Sequence, residues 1–83
     1  MGELDRIRWR CRRGLLELDL VLAAFGREHL ERLAPQDLEL FSRLLDASDN
    51  DLWDWVSARS EPPDPLLAGL VQRLRAVRHA DWS

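Results

Sequence analysis

Cysteine is nearly absent from this chain. The single thiol, Cys11, leaves no internal disulfide possible and no thiolate cage for a metal. That usage predicts a reducing compartment. Lysine is missing altogether, and every basic side chain is arginine, which by itself assigns no function. The glycines at positions 2, 14, 26 and 69 are isolated, so there is no glycine-rich phosphate loop. His29 and His79 fall on different predicted helices without metal-ligand spacing, and both are expected near helix ends facing solvent. No apolar run approaches the ~20 residues of a bilayer span, and the opening MGELDRIRWR lacks the apolar centre of a signal peptide. These absences lead to the expectation of a soluble cytoplasmic protein with no metal site, no catalytic constellation and no membrane insertion.

What is present suffices for one small folded domain, residues 1–83. A chain of this length removes only roughly 60–65% of its unfolded surface from water, so the core must be thin. A hydrophobic content of 46% beside 33% charged residues nevertheless excludes a disordered chain. Charge is unevenly placed. Residues 1–33 carry seven arginines against six acids, residues 34–64 two against eight, and residues 65–83 three against one. The formal net charge of −3 therefore hides a basic first segment facing an acidic middle.

Four breaks divide the chain. Gly14 can adopt the positive φ that ends a helix. Ala34-Pro35 places proline where a helix loses no hydrogen bond by starting. Ala47-Ser48-Asp49-Asn50 offers capping oxygens, with Ser48 and Asp51 near capping-box spacing. Glu61-Pro62-Pro63-Asp64-Pro65 stops one helix and restarts another, with Asp64 as N-cap and Pro65 at the first position. Between the breaks apolar residues recur at helical period: Leu4, Ile7 and Cys11; Leu18, Val21, Leu22, Phe25 and Leu33; Leu38, Phe41, Leu44 and Leu45; Leu52, Trp55 and Val56; and Leu67, Leu70, Val71, Leu74 and Val77. The pattern predicts an all-α fold, a small five-helix bundle, with the second helix at its centre.

The stretch RWRCRRG raises the question of chemistry. Five of the eight residues from Arg6 to Arg13 are arginine, yet a helix spreads them around its circumference, with Arg6, Arg10 and Arg13 in one row and Arg8 and Arg12 in another. Cys11 shares the apolar stripe and reads as a buried small hydrophobe. Trp9 alone among the tryptophans has basic neighbours; Trp53 and Trp55 lie among Asp49, Asp51 and Asp54, whose charge repels phosphate, and Trp82 belongs to the terminus. Nucleic-acid binding is not expected of an acidic chain. In RRGLLELD, a helix beginning at Gly14 would set Glu17 at N3, where its carboxylate could reach back to free backbone N–H groups. That accounts for Gly14 and Glu17 structurally and leaves Arg12, Arg13 and Asp19 without a role. A glycine corner flanked by guanidinium and carboxylate groups equally presents directional hydrogen-bonding groups to a partner.

The string RIRWRCRRGLLELD, with Arg13-Gly14-Leu15-Leu16-Glu17 as an RGxxE motif, resembles the succinate dehydrogenase flavinylation and assembly factors of the SdhE/YgfY type. The resemblance continues through Phe25 and FSRLLDASDNDLWDW over roughly residues 5–60; the last helix fits only in kind. It implies a helical assembly factor that binds the flavoprotein subunit of succinate dehydrogenase, and in bacteria that of fumarate reductase. Such a factor promotes covalent attachment of FAD to a histidine of that subunit. It also implies no catalytic groups and no tightly bound cofactor of the factor's own, the FAD being attached to the partner. Carried over by position, Arg13, Gly14 and Glu17 would contact the partner: Arg13 as a bidentate donor, Gly14 by close backbone approach, Glu17 as acceptor or orienting group. Trp9, Arg12 and Asp19 match the surrounding string. Ala34 and Leu16 depart from it, the latter making the presented surface more apolar. The alternative implied by relatives is the antitoxin half of a toxin–antitoxin pair.

Overall fold

The computed structural model of the chain describes residues 2–82, with side chains as far as Val77. The expectations for the side chains of His79 and Trp82 lie outside the described residues. Five α-helices follow in order: α1 (Glu3–Arg10), α2 (Leu16–His29), α3 (Pro35–Leu44), α4 (Asp49–Val56) and α5 (Pro65–Trp82), with a 3₁₀ turn (Leu30–Arg32) closing α2. There is no strand among the described residues.

The helix starts are local chemistry. Pro35 opens α3 in its first turn behind extended Ala34. Ser48 caps α4, its hydroxyl accepting from the Asp51 N–H at 3.2 Å. The Asp64 carboxylate accepts from the Leu66 N–H at 2.9 Å and so caps α5 across Pro65. α4 ends in a Schellman motif, in which the Arg59 N–H bonds the Asp54 carbonyl at 2.8 Å and the Ala58 N–H the Trp55 carbonyl at 3.1 Å. Ala58 takes the left-handed position, at φ 67°, that glycine usually fills. The helix expected to run on to Leu33 stops at His29 instead. The chain tightens there into the 3₁₀ turn, burying Leu30, before Leu33 extends toward Pro35.

The centre expected at the second helix lies instead at α5, which packs against α2, α3 and α4, while α2 packs against α5 and α4. The inner face of α2 buries Leu18, Val21, Leu22, Ala24, Phe25 and Gly26. Phe25 meets Phe41 of α3 with ring centroids 5.2 Å apart, and the Arg73 guanidinium lies 5.6 Å from the Phe25 centroid. Every stripe read from the sequence reaches this core; Leu4, Leu33, Leu38, Trp55 and Leu67 lie at its half-buried margin.

A thin core is supplemented by arginine staples. Arg75 on α5 donates from Nε to the Trp55 carbonyl (2.7 Å), from Nη2 to the Ser60 carbonyl (3.2 Å) and to Glu61, holding the α4–α5 link down. Its hydrogen bond keeps the Glu61 carboxyl below the ordinary carboxylate range. Arg10 bridges α1 to α3 through the Ser42 hydroxyl (2.8 Å) and carbonyl (3.1 Å) and Asp46. These sites use the planar fork that lysine lacks, so arginine here has a structural meaning that composition alone could not supply.

Candidate functional site

α1 ends sooner than the sequence suggests. Its C-cap is Cys11, whose N–H bonds the carbonyls of Ile7 and Arg8, and the Arg12 N–H closes on the Trp9 carbonyl at 3.1 Å. Cys11 is buried with Ile7 in the core. Burial pushes its thiol from an ordinary 9.0 up to about 11, with Arg13 and Arg10 opposing the shift. A protonated thiol packed in the core suits the role of a small hydrophobe.

Residues 12–15 then form a corner. Gly14 sits at φ +85°, and a Cβ added there would meet no atom within 4 Å. The glycine is thus required by backbone conformation, and the space outside it is open. Asp19, one turn into α2, closes the corner from within: one carboxylate oxygen accepts from the Arg13 N–H (2.8 Å) and the other from the Gly14 N–H (3.1 Å). The Arg13 side chain closes it from outside. Nε donates to Asp49 Oδ1 at 2.6 Å, Nη1 to the Leu45 carbonyl at 2.8 Å and Nη2 to the Ala47 carbonyl at 2.7 Å.

Two sequence expectations change as a result. The directions in which Arg13 would donate to a partner are used inside the chain, on the α3–α4 loop, and its side chain is only 17% exposed. Glu17 is at N2 rather than N3, because Leu15 is the N-cap and Leu16 the first helical residue. Its carboxylate therefore does not reach back over the corner; Asp19 takes that place. Glu17 is exposed and carries no hydrogen bond or ion pair among the described residues.

The remaining candidates face outward. Trp9 is 67% exposed, and the Arg12 guanidinium lies over its ring, 5.4 Å from the centroid. Between α1 and α2 runs a groove of about 800 Å³ lined by Trp9, Arg12, Gly14, Leu20, Ala23 and Arg27, among others. Leu15, Leu16 and Leu20 are exposed beside it, and only Leu66 elsewhere is a comparably exposed large apolar side chain among the described residues. Leu16, Leu20, Ala23 and Arg27 recur at helical spacing and form an outer stripe on α2. Leu20 was not singled out by the sequence pattern, because α2 is apolar on nearly all sides; its spacing of four from Leu16 is the signal that marks it.

The arginine run is largely neutralised. Arg8 pairs with Asp5 and Glu31, Arg10 with Asp46, and Arg13 with Asp49, leaving Arg6 and Arg12 without an ion pair among the described residues. A patch so compensated is a poor phosphate clamp. Among the described residues no group of His, Cys, Asp and Glu could hold a metal ion, and no helix is long and apolar enough to cross a membrane.

Comparison with known proteins places the whole chain beside a single family. A chain from Methylococcus capsulatus named FAD assembly factor SdhE is 40% identical over 77 residues, covering 93% of each chain. Proteins of the same name from Pseudomonas putida and Shewanella oneidensis are 43% and 41% identical, over 84% and 87% of this chain and 83% and 88% of their own. A family model described as flavinator of succinate dehydrogenase matches residues 5–78, which extends past the motif-bearing part into α5. With a match over nearly the whole length and relatives named as assembly factors rather than catalysts, the chain belongs to the flavinator of succinate dehydrogenase family.

Proposed function

We propose that this chain promotes covalent attachment of FAD to a histidine of the flavoprotein subunit of succinate dehydrogenase, and of fumarate reductase, by docking on that subunit through the α1–α2 corner. One observation carries the docking surface. Trp9, Leu15, Leu16 and Leu20, four of the five exposed large apolar side chains among the described residues, gather at this corner, next to Arg12 and Glu17, which makes no hydrogen bond among those residues. Apolar anchors rimmed by charged groups with spare hydrogen-bonding capacity fit a protein partner better than a nucleic acid.

The roles divide by direction. Trp9, Arg12, Leu16 and Glu17 contact the partner, and open space at Gly14 admits its backbone. Arg13 and Asp19 hold the corner in shape. The chain contributes no reacting group. Binding one state of the flavoprotein holds the acceptor histidine against the isoalloxazine methyl, and positioning of that kind accelerates a reaction already available to the two partners. FAD is the cargo attached to the partner, and the site of action is the cytoplasm.

The test is complementation. In a strain lacking its own factor, this chain expressed with its cognate subunit restores in-gel flavin fluorescence of the denatured flavoprotein. Gly14→Arg removes that signal while helical circular dichroism persists, since the side chain meets open space and the strain of a non-glycine residue at φ +85° is only about 1–2 kcal/mol. Glu17→Gln keeps the shape, removes the charge and lowers the signal. A folded chain that restores no covalent flavin in its cognate host overturns the reading.

A further inference from the structure

The corner that presents Leu16 and Glu17 is a short link outside both helices, turned by a glycine at positive φ. Asp19 ties its two N–H groups locally. Between the buried anchors Cys11 and Leu18 the corner is tied across the bundle by one guanidinium, whose three nitrogens point at three acceptors 32 to 36 residues away, at the α3–α4 junction. A planar fork bonded in three directions fixes angle as well as distance. Two of those acceptors are carbonyls that no substitution removes. The third is the carboxylate of Asp49, the first residue of α4, where the helix N-terminus favours a negative charge.

We infer that Asp49 is a positioning residue for partner binding: through Arg13 it holds the backbone of residues 13–15 in the orientation that the flavoprotein subunit recognises. The inference rests on the docking reading above. Without the carboxylate, Arg13 loses its charge-assisted bond and the corner must be ordered again when the partner binds.

Calorimetric titration of the purified cognate flavoprotein subunit tests this, using the full chain and its Asp49→Ala, Asp49→Asn and Arg13→Lys variants. Re-ordering a single freed backbone residue weakens affinity about tenfold, which is the loss expected for Asp49→Ala and for Arg13→Lys. The double variant is expected to bind no worse than the weaker single one, since both cut the same link. Arg43→Ala is the matched control. It breaks the exposed 2.9 Å pair with Asp64, away from the corner, and leaves affinity unchanged. If Asp49→Ala does not fold, Asp49→Asn, which keeps shape and one acceptor, decides. Its amide protons at Arg13 and Gly14 should exchange faster than wild type while those of the α2 interior do not change. Binding by Asp49→Ala within about twofold of wild type, or additive losses in the double variant, overturns the inference and leaves the docking reading standing. A wild-type chain that fails to bind the subunit removes both.

Discussion

Raising the pH isolates a single buried group in this molecule. With no lysine and no tyrosine, and with guanidiniums charged to above pH 12, Cys11 is the one side chain that titrates between about pH 9 and pH 11. Its folded value is about 11 against an ordinary 9.0. The sign follows directly. Above pH 9 the unfolded chain loses its thiol proton while the folded chain keeps it, so stability that is whole below pH 9 is lost progressively up to pH 11. Moving from about pH 8 to about pH 10.5 should remove about 2 kcal/mol, a sizeable share of the roughly 4–12 kcal/mol expected for a domain of this length. Urea unfolding at both values, in wild type and in Cys11→Ala, measures it. The alanine variant is less stable at the lower pH but should show almost none of the alkaline loss. An equal loss in the two proteins refutes the assignment of that titration to a core thiol.

Other perturbations separate the core from the presented surface. Ala58→Gly should raise stability by about 0.5–1 kcal/mol, seen as a Tm several degrees higher, because it relieves a left-handed alanine in the Schellman turn. Phe25→Ala, at the fully buried contact with Phe41, should cost about 3–5 kcal/mol and leave the chain partly unfolded at body temperature in thermal melts. Leu20→Asp replaces a half-exposed side chain on the outer α2 stripe. It should change stability by less than about 0.5 kcal/mol and yet abolish flavoprotein pull-down, whereas intact binding would move the docking surface elsewhere.

Helix starts were legible from sequence because their causes are adjacent residues: Pro35, Ser48 with Asp51, and Asp64 with Pro65 each carry their own signal. The core stripes were legible for the same reason. Ala58 was not, since alanine normally avoids positive φ and nothing local marks the turn. Glu17 lies one position nearer the helix start than its spacing from Gly14 suggests, because α2 is capped by Leu15 and not by Gly14. Arg13 is the most instructive case. Its type and its place beside Gly14 are obvious, but the direction of its side chain depends on Leu45, Ala47 and Asp49, a loop that periodicity cannot bring near it. Within one short motif, then, Asp19 and Arg13 face inward while Trp9 and Glu17 face out, a division that residue identity does not encode.

Dependence on that distant loop means the corner is not portable. A synthetic peptide covering residues 6–20 would contain Trp9, Arg12, Arg13, Gly14, Glu17 and Asp19, yet it would lack every acceptor of the Arg13 guanidinium. Such a peptide is a poor competitor for the whole chain, and a graft of the motif onto another helical hairpin would have to import a capped, acidic helix start as well.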